Sequence, residues 1–170
     1  MTIRKPIKWF ILGVILTGVV YYFYPEKRLA DNAKISKIVI NKSESKMMVY
    51  NGNDLLNTFT VSLGSSPVGD KQLRGDNKTP EGHYFVEAKL GLGVSKYHKS
   101  LRVSYPSPEQ IKMGKSGSNI MIHGLGPKYH YFGNFHRFYD WTQGCIAVTD
   151  DEIDQIYKAT KVGVAIIITP

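Results

Sequence analysis

Cysteine occurs once in the 170 residues, at Cys145, so no disulfide can form within the chain. Long apolar runs are also lacking. Trp9–Tyr24 carries no charge over 16 residues, somewhat short of the ~20 of a membrane helix. Runs of five or more Lys/Arg are absent although the net charge is +8. The basic residues are interleaved with acids, so the clustered footprint of a nucleic-acid binder is missing, and no nucleic-acid partner is expected. Repeats and low-complexity tracts are absent. The spacings of 7, 6 and 9 that separate His123, His130, His136 and Cys145 lack the paired short intervals of zinc motifs. No metal or other cofactor is expected.

What is present begins with the N-terminus. Arg4, Lys5 and Lys8 precede the uncharged stretch, and "YYFYPEKR" follows it, with aromatics marking the ends. Basic flank, apolar core and aromatic border form the pattern of a signal anchor. A cleaved signal is the alternative, although the small residues it needs come only at Ala30 and Ala33. The expectation is a single N-terminal membrane helix and polar tether over residues 1–34. A folded domain over 35–170 then lies outside the cytoplasm, in the periplasm or an equivalent space. Residues 1–34 carry +4 and the rest another +4, a modest bias toward acidic partners.

Beyond the tether, short alternating runs bounded by turn residues read as strands. They are Lys34–Asn41, Lys46–Gly52, Leu55–Gly64, "HYFVEAKL", "LRVSY", "NIMIHG" and "GCIAV". Asn51-Gly52 marks a hairpin. "TDDEIDQIYKAT" is the exception: Thr149 and Glu152 make a capping box, and Ile153 and Ile156 recur at helical spacing. "GVAIIITP" closes the chain as a buried strand. The fold expected is mainly β, a sandwich or barrel with one or two short helices.

Outside the cytoplasm an unpaired thiol needs a reason. Cys145 follows Gly144, which permits a tight turn and close approach to the amides of Gly144 and Cys145. His123 ends an apolar strand, and a neighbouring imidazole is what a thiol needs to become a nucleophile. Two adjacent strands can bring the pair together, giving a Cys–His acyl-transfer site.

These residues also carry a resemblance. "IMIHG", a spacer and "WTQGCIAVTDDEI" resemble the L,D-transpeptidase catalytic domains of the YkuD family, in particular their YafK-like branch. "DNKTPEGHYFV" and "SKYHKSLRVSYP" extend the similarity over about Ile35 to Pro170. The resemblance implies a YkuD-like β-sandwich or barrel with Cys145 as nucleophile, His123 as base and the Gly124 carbonyl orienting the imidazole. It also implies an oxyanion site at the amides of Gln143, Gly144 and Cys145, with Thr142 in the family's Ser/Thr place. The sequence departs from the pattern at Gln143, where a His is usual, and at Ala147, where Asn or Arg is common. Its spacer of 18 residues between His123 and Thr142 is also long.

The implied reaction starts with attack by Cys145 on the diaminopimelate carbonyl of a peptidoglycan stem peptide. D-alanine leaves, and the thioester passes to an amine or to water. Release of a wall-linked lipoprotein is the alternative reaction, and a non-catalytic wall-binding module is the alternative class. Implied partners are stem peptides, such a lipoprotein, and the membrane through the N-terminal helix. Between the two catalytic strands, Leu125–Trp141 is crowded with aromatics. It reads either as a lid whose rings and Arg137 meet the stem peptide and its carboxylates, or as a loop packed on the barrel side; Thr142, His136 and Asp140 are further candidates for contact with substrate. Thr79–Gly82, "TPEG", reads as groove lining or as a plain turn.

Overall fold

A computed structural model describes residues 5–24 and 27–170; Arg4 of the basic flank and Pro25 of the tether lie outside them. Eight strands form one curled sheet: β1 (Ile35–Asn41), β2 (Lys46–Asn51), β3 (Asp54–Thr60), β4 (Gly82–Leu90), β5 (Ser100–Val103), β6 (Met121–His123), β7 (Ile146–Ala147) and β8 (Thr160–Thr169). Their order is β3-β2-β1-β8-β4-β5-β6-β7. The pairs β1–β8 and β6–β7 are parallel and the others antiparallel. The chain beyond β3 returns to the far end of the sheet. Ser62 bridges Ala147, and Gly64 bridges Thr142.

The alternation read in the sequence is the alternation of burial. Ile38 and Ile40, Met47 and Val49, Tyr84 and Val86, and Ile166 and Ile168 point into one core, as strand geometry requires. The last strand differs from the expected fully buried one. Ile166 and Ile168 are covered, but Ala165 and Thr169 within that stretch are exposed. The first hairpin turns one residue later than expected: Asn51 pairs with Asp54, and Gly52, at φ 59°, occupies the loop.

Helices are more numerous than the sequence led us to expect. α1 spans Lys5–Tyr22, α2 Pro108–Lys112, α3 Gly126–Tyr129 and α4 Asp150–Ala159, and a 3-10 segment, His130–Phe138, is kinked at Gly133. Both α2 and α4 start with full capping boxes, Ser107/Gln110 and Thr149/Glu152. Ile153 and Ile156 of α4 are wholly buried, each stabilising by about 1.5–3 kcal/mol.

No helix among the described residues is long and apolar enough to cross a membrane. α1 has 18 residues, and its first turn holds Lys5 and Lys8. Its last turn is docked on the domain, where Tyr21 and Tyr22 meet Phe135, and Asn134 Nδ2 donates to the Tyr21 and Tyr22 carbonyls. The tether's described part is also bonded down. Asn57 Nδ2 donates to the Lys27 carbonyl at 2.6 Å, and the Leu29 amide donates to Gln155 Oε1 at 2.8 Å.

Candidate active site

Parallel pairing sets Ile122 beside Ile146 and His123 beside Ala147. One step earlier in this register, Met121 faces Cys145. Side chains alternate along strands, so His123 and Cys145 share one face. Strand spacing and rise put their Cα atoms about 8 Å apart on the diagonal.

His123 is completely buried. Its Nδ1–H donates to the Gly124 carbonyl at 2.6 Å, which fixes the tautomer and leaves Nε2 with the basic lone pair. Nε2 has no hydrogen-bond partner among the described residues. Tyr97 lies on the ring face, and Trp141 meets it edge-on at 6.1 Å. Burial pushes the His123 pKa down to about 4 against the opposing pull of the Gly124 carbonyl. Burial also pushes the Cys145 thiol up, partly offset by a bond from the Met121 backbone and by the Lys71 charge. The resting pair is therefore neutral thiol and neutral imidazole. The thiol donates a hydrogen bond to the Asn119 carbonyl at 3.6 Å.

The turn before Cys145 is built around Thr142. Its hydroxyl donates to the Cys145 carbonyl at 2.7 Å and accepts from the Gly144 amide at 3.0 Å. That bond corrects the oxyanion expectation. The Gly144 amide is occupied, while those of Gln143 and Cys145 have no acceptor among the described residues. Gly144 is at φ 121°, and a Cβ there would lie 2.5 Å from the Lys78 carbonyl oxygen, so glycine is required.

Cys145 opens on a groove of about 670 Å³ bordered by Tyr97, Tyr129, Trp141, Thr142 and Gln143. Four cations, Lys71, Arg74, Lys96 and Arg102, line it, and no carboxylate does among the described residues. Lys71 is a buried cation, bonded to Asp76 at 2.6 Å and to the Leu73 carbonyl at 3.2 Å. Burial favours the neutral Asp76, but the Lys71 ammonium and the amides of Leu73, Lys78 and Gln72 outweigh it and hold the carboxyl well below its ordinary range. Sequence reasoning missed Lys71, Tyr97 and Arg102. The only signals for them are the length of the loop before β4 and the "SKYHKSLRVSYP" segment.

Three residues expected to meet substrate are spoken for. Arg137 Nη2 pairs with Glu152 Oε1 at 2.7 Å, with side chains 7% and 1% exposed, so its guanidinium is withdrawn from solvent. His136 is buried; the Ser62 hydroxyl donates to its carbonyl at 2.8 Å and therefore accepts from its Nδ1 at 3.0 Å. Asp140 Oδ1 accepts from the Leu63 amide at 2.6 Å. The aromatic segment thus divides its work: Tyr129 and Trp141 face the groove, while Phe135 and Phe138 pack on Tyr21. "TPEG" is structural too. Thr79 Oγ1 accepts from the Gly64 amide at 2.9 Å, and Glu81 pairs with Lys42 at 2.6 Å. Among the described residues no group of three or more His, Cys, Asp or Glu could hold a metal ion.

Comparison with known proteins bears on this arrangement. YafK of Escherichia coli strain K12, which carries an L,D-transpeptidase name, is 30% identical over 104 residues, 61% of this chain and 37% of that protein. This chain thus matches little more than a third of that relative. Among solved structures, the helical cell shape determining protein Pgp2 from Campylobacter jejuni superposes with a TM-score of 0.62 at 23% identity, over 81% of this chain and 48% of that one. Bd1075 of Bdellovibrio bacteriovorus gives 0.59 at 22% identity, over 85% and 51%. An L,D-transpeptidase from Mycobacterium smegmatis gives 0.55 at 16% identity, over 81% and 59%. These likenesses, all under 25% identity, speak to the fold alone. The model of the L,D-transpeptidase catalytic domain, YkuD, matches residues 35–168, and the chain belongs to that family.

Proposed function

We propose that the domain transfers acyl groups of peptidoglycan stem peptides through a thioester on Cys145. The observation that carries the reading is one sulfur at a groove beside a buried imidazole. The Gly124 carbonyl holds Nδ1 of that ring, and its Nε2 is unbonded.

The neutral resting pair sets the order of events. Substrate turns the thiol from the Asn119 carbonyl toward His123, and Nε2 takes the proton as Sγ forms its bond to the carbonyl carbon. The amides of Gln143 and Cys145 meet the developing oxyanion. The C–N bond then breaks, the proton passes from His123 to the departing amine, and the thioester remains. An incoming amine attacks it to give a crosslink, whereas water gives a trimmed peptide; His123 receives the attacking group's proton. Neither half-reaction needs a metal or an organic cofactor.

Stem peptides lie outside the cytoplasm, so the same reading puts the domain there, in keeping with the basic residues Arg4, Lys5 and Lys8 ahead of the uncharged stretch. That helix leaves Trp9, Phe10 and Leu16 exposed and is the segment that meets a lipid surface. The test is incubation of the full chain with tetrapeptide muropeptides and with lipoprotein-linked wall, followed by product masses. Loss of D-alanine, or a new crosslink, that Cys145→Ala abolishes supports the reading. Products unaffected by that change overturn it.

A further inference from the structure

We propose that Arg102 reads a free carboxylate of the donor peptide, so that the groove selects acidic donors over the same peptides carrying carboxamides. The inference rests on the stem-peptide reading and names which stems the site takes.

The sheet register places the residue. Ala88, Arg102 and Met121 lie side by side across β4, β5 and β6, and Met121 faces Cys145 one step before β7. Paired residues share a face, so Arg102 stands on the face of Cys145 two strands away. At about 4.8 Å per strand the Cα atoms are roughly 10 Å apart. An extended peptide advances about 3.3 Å per residue. A carboxylate two or three residues' length from the attacked carbonyl therefore comes within guanidinium reach.

The electrostatics agree with the placement. Lys71 is neutralised by Asp76 at 2.6 Å. Glu87 Oε2 lies 2.6 Å from Arg102 Nε and, though it does not line the groove, offsets part of the Arg102 charge as Asp76 does that of Lys71. Arg74 and Lys96 have no carboxylate partner among the described residues and add unopposed positive charge to the same groove. A guanidinium offers two parallel N–H donors to a carboxylate, whereas a carboxamide presents one acceptor and no charge. Bonds to charged groups are worth more than neutral ones, so amidation weakens binding.

The test uses Cys145→Ala, which binds without turnover, and two tetrapeptides identical except that the side carboxylates of one are carboxamides. We expect the free-acid peptide to bind about tenfold more tightly, a difference of ~1.4 kcal/mol. Arg102→Gln removes the difference by weakening only the acid, and Arg102→Lys retains part of it. Equal affinity in the Arg102 background, equal weakening of both peptides by Arg102→Gln, or no binding of either peptide overturns the proposal. If the two peptides are distinguished but wild-type Cys145 forms no adduct with either, acyl transfer fails and the carboxylate site stands.

Discussion

Tyr97 lies flat on His123, their ring centroids 3.6 Å apart and their planes 11° from parallel. The imidazole proposed as base is thus held twice: its edge by the Gly124 carbonyl and its face by a ring from the loop before β5. Stacking of this kind is worth about 0.5–1.5 kcal/mol beyond area burial, but its larger effect is on aim. Misplacing a reacting group by about 1 Å can cost on the order of 100-fold in rate. Tyr97→Ala should lower the acylation rate 10- to 100-fold, while Tyr97→Phe stays within about threefold of wild type. Stopped-flow acylation with a chromogenic thioester substrate checks this, and equal rates for the two variants would remove the stacking from the account.

The Arg137–Glu152 pair ties the aromatic segment to the first turn of α4 with both side chains out of water. Removing one member of a buried pair costs about 3–5 kcal/mol, because the other charge is stranded. Arg137→Ala should therefore lower the urea midpoint sharply and leave KM for stem peptides unchanged in the folded protein. A raised KM with unchanged stability would return Arg137 to the substrate.

Thr142 closes the turn before Cys145 with one hydroxyl that both donates and accepts. Thr142→Ser keeps both bonds and should keep activity. Thr142→Val loses both, strands the Gly144 amide, and should cost about 1–3 kcal/mol of stability together with most of the turnover. Gly144→Ala should be worse, since its Cβ meets the Lys78 carbonyl oxygen. Urea melts of the three proteins read out the order, and a Gly144→Ala melt matching wild type would contradict the geometry.

Two buried imidazoles make stability depend on pH. Burial takes His123 from 6.5 down to about 4, and burial with the Arg137 and His123 charges takes His136 to about 3. Above pH 6.5 the rings are neutral in both folded and unfolded chains and contribute nothing. As pH falls below that value the unfolded chain binds protons that the folded chain refuses, so stability drops, by about 3 kcal/mol for His123 alone. Urea midpoints should fall steadily from pH 7 to pH 4, and less steeply in His136→Asn. Equal slopes for wild type and variant would show that His136 is not buried neutral.

Much of the sheet is legible in the sequence because half-buried strands must alternate: Ile38/Ile40 and Met47/Val49 announce their face without outside help. α4 is legible from its capping box. α2 carries the same signal in Ser107, Pro108 and Gln110, but it buries no residue and so lacks an apolar periodicity to accompany its cap. Cys145 and His123 stand out because their residue types are rare and their strands short. Arg137, His136 and Asp140 mislead because their partners, Glu152, Ser62 and the Leu63 amide, are 15, 74 and 77 residues away. No spacing rule reports such pairings. Lys71 is hidden for a similar reason: a lysine in a polar loop reads as solvated until the fold closes over it.

The central claim is that Cys145 Sγ carries the acyl group and that His123 takes its proton. The direct measurement is the mass of the full chain, acid-quenched during turnover of a tetrapeptide muropeptide and then digested. The account predicts an added mass equal to the muropeptide less D-alanine, on the peptide containing Cys145, formed far more slowly in His123→Ala and never in Cys145→Ser. Turnover that proceeds with no adduct on that peptide, or that survives in Cys145→Ala, would contradict it.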